Sequence, residues 1–178
     1  MARTFKNLFP VLACVIIFAI ISGISMLRLA ELNKISGGPA VLDMRLSYTG
    51  NGVETLFHKL GQSGRSSYTE FLFFDYLFII LLACIQALLI GWFCLRLQFH
   101  RRWRKLKILA YARGVFDALE NLFILILLFH YPGVTRSIAA VANLMTILKW
   151  IATVAVFAVL LGLAIILALK SFFHKEEK

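Results

Sequence analysis

Charge is scarce in this sequence, and acid scarcer still. Of its 178 residues 16% are Asp, Glu, Lys or Arg, and 9 acids face 19 Lys and Arg. A soluble domain carries about 25% charged and about 45–50% apolar residues. Here 61% are hydrophobic and the mean hydropathy is +0.84. A water-soluble globule is excluded, because the surplus of apolar side chains has no interior large enough to hold it. Three prolines and 11 glycines exclude collagen-like and low-complexity chains. The three cysteines, Cys14, Cys84 and Cys94, lie in apolar runs with no CxxC spacing. No disulfide framework or zinc site is expected, and they read as small apolar packing residues. HExxH, GxSxG and phosphate-loop motifs are all missing. His58, His100, His130 and His174 fall in the outer loop and flanks rather than facing one another within a span. Neither metal nor cofactor is therefore expected.

What the chain has is long apolar runs. A helix crosses the hydrocarbon core with about 20 mainly apolar residues, and four such stretches occur at 8–27, 71–95, 108–129 and 138–169. The first is too long for a signal-peptide core and no small-residue cleavage pattern follows it. The last exceeds what a span requires, so it tilts or leaves its ends in the interface. The expected fold is all-α: a polytopic four-helix transmembrane bundle forming a single domain, 1–178, with a structured extracytoplasmic loop, 28–70, that carries a short amphipathic helix.

Cations set the expected orientation, since cytoplasmic flanks are enriched in Lys and Arg. Eleven lie before the first span, between the second and third, or after the fourth, against six on the opposite side. Both termini are expected in the cytoplasm, with the protein in the plasma (inner) membrane. The basic stretch RRWRKLK at 101–107 reads as an anchor to anionic headgroups at the cytoplasmic face, not as a nucleic-acid site.

In the outer loop, Gly37, Gly38 and Pro39 predict a turn, after which LDMRLSYT brings Asp43, Arg45 and Tyr48 close together. Val53, Leu56, Phe57 and Leu60 recur at helical spacing, with Asn51 as the expected cap and Gly61 as the stop. Ser67 and Glu70 fit a capping box opening the second span. One reading makes the loop a lid with Arg45, Tyr48, Arg65 and Tyr68 at the mouth of a cavity; the other makes it a solvated connector whose charges pair among themselves.

Ionisable residues at membrane depth are the most informative, because hydrocarbon cannot satisfy them. Asp75 and Gln86 lie on one face of the second span. Arg113, Asp117, Glu120 and Asn121 form one stripe on the third, and Asn143, Thr146, Lys149 and Thr153 form another on the fourth. Glu120 and Lys149 lie at similar depth and are expected to pair, as are Arg113 and Asp117 at i, i+4. Three acids then face two cations. Asp75, Asp117, Glu120, Asn121, Lys149 and Arg113 are the candidate ligand-binding residues. As purely structural groups, the same residues would set helix register through internal ion pairs and hydrogen bonds.

LDMRLSY, the GQSGR turn, the Asp in FLFFDYLF, DALEN and LKW together resemble an uncharacterised family of small four-span microbial membrane proteins, over 42–150. A fainter, architectural similarity is to the EXPERA-type four-helix proteins, the sterol isomerases and sigma-2-like receptors, with Asp75 as the early acid of the second span. That similarity implies a buried acid receiving part of a hydrophobic ligand. Arg113 and Lys149 beside DALEN depart from that pattern.

Three functional readings follow. The first is a protein that binds a lipid or other lipophilic small molecule in a polar intramembrane cavity under the outer loop, with or without enzymatic activity. The second is a proton- or ion-coupled transporter or a subunit of one. The third is a non-enzymatic assembly partner, associating with another membrane protein or with its own copies.

Overall fold

The computed structural model describes residues 2–38, 41–133 and 136–176, with side chains over 15–38, 41–133 and 136–173. Pro39, the side chain of Cys14 and those of the terminal cations Arg3, Lys6, Lys175 and Lys178 lie outside the described residues. Four helices account for most of the chain: α1 (Ala2–Ser36), α2 (Gly50–Arg96), α3 (Lys107–His130) and α4 (Arg136–Glu176). A 3-10 turn, Arg101–Leu106, joins α2 to α3. There is no strand among the described residues. Three helices, α1, α2 and α4, are long and apolar enough to cross a membrane, and an integral membrane protein is the class this fits. α3 has 24 residues but carries Arg113, Asp117 and Glu120 in its middle.

The helices outrun the apolar stretches that predict them. Nothing between 27 and 36 stops a helix, so α1 continues to Ser36, and the segment separating α1 from α2 shortens to 37–49. The cap of α2 is Thr49, two residues earlier than expected; its backbone is extended and its hydroxyl accepts the Gly52 N–H at 3.3 Å. The amphipathic face is as read: Val53, Leu56, Phe57 and Leu60 are all buried. At Gly61 the backbone turns to φ +61°, which L side chains rarely adopt, and the helix bends there before resuming at once. Ser67 and Glu70 therefore lie inside a continuing helix. Their predicted capping box has no exposed N–H groups to cap.

Two apolar clusters frame the interior. At the end carrying the 37–49 connection, the loop end, Leu32, Val41, Leu42, Phe57, Tyr68, Leu72, Ile124 and Leu127 pack together with Ala139 and Ala142. At the opposite, hairpin end, Ala87, Ile90, Cys94, Leu97, Ala110, Val156 and Leu163 do the same. Between them α2 and α3 approach closely, because Gly114 faces Ala83: a Cβ on Gly114 would sit 3.2 Å from the Ala83 methyl carbon. α3 is held between α2 and α4, whereas α1 packs chiefly against α2.

Candidate functional site

The buried polar residues lie between the two apolar clusters, contributed by α2, α3, α4 and the 41–49 segment. Antiparallel packing fixes who meets whom. On the α2–α3 contact, the Asn121 amide donates to Asp75 Oδ2 at 2.7 Å, and the Tyr76 hydroxyl donates to the Ala118 carbonyl at 3.1 Å. On the α3–α4 contact, Glu120 faces Thr146 and Lys149: Thr146 Oγ1 donates to Glu120 Oε1 at 2.6 Å, and Lys149 Nζ is 2.5 Å from Glu120 Oε2. Arg113 Nη2 donates to Asp117 Oδ2 at 2.6 Å, while Lys149 Nζ reaches Asp117 Oδ1 at 3.3 Å. Both expected ion pairs are present, and Lys149 joins them into one network.

The 41–49 segment closes this network from the loop end, and four polar bonds hold its backbone. The Leu42 N–H donates to Tyr68 Oη at 2.8 Å, and Lys149 Nζ donates to the Asp43 carbonyl at 2.7 Å. The Trp150 indole N–H donates to the Arg45 carbonyl at 3.0 Å, and the Tyr48 N–H donates to Asn143 Oδ1 at 2.8 Å. Irregular backbone placed among helices survives only when its N–H and C=O groups are paired in this way. The Tyr48 hydroxyl lies 3.2 Å from Thr146 Oγ1, extending the network into the segment's side chains.

Asp43 brings a fourth carboxyl. Its residue is 7% exposed, and burial raises its carboxyl to about 7; the Lys149 ammonium pulls in the opposite direction, and Glu120 and Asp117 add to the rise. Four buried carboxyls, Asp43, Asp75, Asp117 and Glu120, thus face two cations, Arg113 and Lys149. Lys149 Nζ donates to the Asp43 carbonyl and forms ion pairs with both Asp117 and Glu120. Acceptors remain in excess: Asp43 Oδ1, Asn121 Oδ1 and Gln86 Oε1 are buried without a hydrogen-bond partner, and on the donor side so are Arg113 Nε and Nη1. Among the described residues no three His, Cys, Asp or Glu side chains converge to hold a metal ion.

All six candidate ligand-binding residues are therefore brought together. The four expected mouth residues are dispersed. Tyr68 and Tyr48 are core residues, 0% and 7% exposed, because their rings have the apolar cluster to fill. Arg65 lies with its guanidinium carbon 4.3 Å from the Tyr131 ring centroid and donates to the Phe57 carbonyl at 3.0 Å, bracing the bend at Gly61. Arg45 lines a cleft of about 460 Å³ between the end of α1 and the first turns of α2. Sequence reasoning placed Asp43 beside Arg45 and Tyr48 without counting it among the site acids, and it missed Trp150 as an anchor. The only signal for either was a polar group within an otherwise apolar stretch.

No family model, no curated protein and no solved structure matches this chain.

Proposed function

We propose that the chain is an integral membrane protein of four spans, α3 being the fourth, and that it binds the polar end of a lipophilic molecule in the network beneath the 41–49 segment. α3 is about 36 Å long at 1.5 Å per residue, enough for the hydrocarbon core. Its polar stripe meets Asp75 on one side and Thr146 and Lys149 on the other, so its outer surface toward lipid is left to residues such as Val115, Leu122 and Phe129. The distribution of Lys and Arg supports an orientation with the loop end outside and both termini in the cytoplasm, and the reading takes the membrane to be the plasma (inner) membrane.

One observation carries the ligand reading: the network holds more acceptors than its own donors satisfy. Four carboxyls face two cations, and Asp43 Oδ1 and Asn121 Oδ1 are buried without partners. A buried unsatisfied acceptor costs about 1–3 kcal/mol, a cost with no structural return unless a donor from outside the chain arrives. Spare buried acceptors select a molecule whose polar end donates hydrogen bonds. The architectural similarity to EXPERA-type proteins is compatible with this reading and does not carry it. Transport has less support, because Ile90, Cys94, Ala110 and Val156 form an apolar barrier between the network and the hairpin end. Pairing of the stripes with another protein loses its motive, since they are satisfied chiefly by one another.

Solvent extraction of the purified protein, followed by mass spectrometry, tests the reading. The native chain is expected to carry a lipophile at near-equimolar amount that Asp75→Asn and Asp43→Asn lose while keeping the native helical content. Equal recovery from native and variant proteins would refute it.

A further inference from the structure

The α2–α3 hairpin gathers the cations at its end of the bundle. Between Asp75 and Asp117 the sequence has no acid, and Arg96, Arg101, Arg102, Arg104, Lys105 and Lys107 follow one another closely. None of them forms an ion pair among the described residues. The acids at the far end of α4 are Glu176 and Glu177, whose side chains lie outside the described residues, and the hairpin cations outnumber them. In the 3-10 turn side chains three apart stack, so Arg101, Arg104 and, at the exit of the turn, Lys107 follow one edge. The arginines of the turn are exposed, whereas Lys107 is half-buried because it folds back onto α2. A Cβ on Gly91 would lie 2.5 Å from Lys107 Cε and 2.6 Å from Nζ, so a glycine is what leaves the ammonium its place. Gly91 lies inside the end of α2 at Arg96, about 7.5 Å along the axis. The ammonium therefore sits below the turn, beside the apolar residues Ile90 and Cys94, with no hydrogen bond or ion pair among the described residues. Around it the surface is apolar and outward: Trp92 and Ile108, the sequence neighbours of Gly91 and Lys107, are 52% and 63% exposed. A cation held at the border of an apolar band, with exposed Trp and aliphatic side chains beside it, complements an anion whose other end is hydrocarbon. Arg104 adds the planar fork that matches phosphate oxygens in pairs.

We propose that the α2–α3 hairpin binds the phosphate of an anionic phospholipid, with Lys107 and Arg104 on the phosphate and Trp92 and Ile108 beside the upper acyl carbons. Nucleic acid would meet the exposed arginines of the turn, but not an ammonium held below it against α2. The assignment shares with the preceding reading only the premise that the chain crosses a bilayer, and it holds for whichever leaflet covers the hairpin end.

The test uses the full chain in uncharged detergent, with native mass spectrometry comparing bound dioleoyl phosphatidylglycerol with dioleoyl phosphatidylcholine, whose headgroup has no net charge. The native protein is expected to hold phosphatidylglycerol about tenfold more tightly, the order expected of two cations near an anionic headgroup. Arg104→Ala with Lys107→Ala is expected to abolish that preference. Gly91→Ala keeps every charge in the chain but displaces the Lys107 ammonium, and it is expected to reduce the preference about threefold. Lys34→Ala with Lys59→Ala, which removes the same charge from exposed positions at the loop end, is expected to leave it intact. An undiminished preference in the Arg104 and Lys107 double variant or in Gly91→Ala would overturn the proposal. An equal fall on removing the loop-end pair would also overturn it, since net charge would then be the determinant. So would displacement of phosphatidylglycerol by inorganic phosphate or glycerol 3-phosphate at equal concentration, which would make the occupant a soluble phosphate, or tighter binding of a short oligonucleotide, which would make it nucleic acid. Retention of the interior lipophile in the Arg104 and Lys107 double variant, beside a lost phosphatidylglycerol preference, separates the hairpin from the network; loss of the lipophile in Asp75→Asn with the preference intact separates them the other way.

Discussion

The two halves of the bundle hold themselves together by different means. At the hairpin end Ile90, Cys94, Ala110, Val156 and Leu163 meet as shapes, and the side-chain hydrogen bond that Cys94 Sγ donates to the Trp103 carbonyl at 3.7 Å is weak. At the loop end and in the middle, directional bonds join elements far apart in sequence: Asp75 to Asn121, Glu120 to Thr146 and Lys149, and the 41–49 backbone to Asn143, Lys149 and Trp150. Close packing tolerates many apolar combinations of similar volume. A polar network tolerates few, because each group removed leaves another buried without its partner. The contrast marks where sequence freedom is least, and it can be broken by substitution.

The largest effect is expected from Glu120→Gln, which takes one of the two ion-pair partners from buried Lys149. A loss of about 3 kcal/mol is expected, and the double variant with Lys149→Met is expected to lose less than the sum of the two single losses, because the contact they share is removed only once. Unfolding of the single and double variants in detergent measures this, and strictly additive losses would break the idea that the network is coupled through Lys149. Next comes Ile90→Ala in the hairpin half, expected to cost about 2 kcal/mol through lost packing while the 41–49 segment keeps its native resistance to proteolysis. Cleavage of that segment in Ile90→Ala would show the halves to be one cooperative unit.

The smallest effect sharpens the comparison through pH. The Asp43 carboxyl is raised to about 7 in the folded protein from an ordinary value of 3.8, so the folded state retains a proton that the unfolded chain releases. Its contribution to stability is complete below about pH 4 and is lost as pH rises through 7. Between pH 5 and pH 8 the native protein is expected to lose more stability than Asp43→Asn, measured by unfolding temperature. Identical profiles would remove Asp43 from the network's proton balance.

Much of this was legible in the residues. The surplus of apolar side chains indicated a membrane, and i, i+3 and i, i+4 spacing put Arg113, Asp117, Glu120 and Asn121 on one stripe. Depth counting matched Glu120 to Lys149, because both helices rise equally per residue. The capping box at Ser67–Glu70 was misleading, since a local motif acts only where a helix actually begins and the break had already occurred at Gly61. Tyr48 and Tyr68 were misplaced for another reason: a tyrosine in a loop looks interfacial until it is known which core its ring can fill.

Composition and periodicity by themselves determined that the chain is helical and apolar enough for a bilayer, and which helix faces must turn from lipid, because those follow from solvation of side chains one helix at a time. Only the tertiary structure decided that Asp43 joins the acids and that Trp150 and Lys149 grip the connecting backbone. It alone also left Arg45 lining a cleft while its neighbour in the network went inside. Contacts between residues about 100 positions apart depend on where separate helices cross, and no local pattern encodes that.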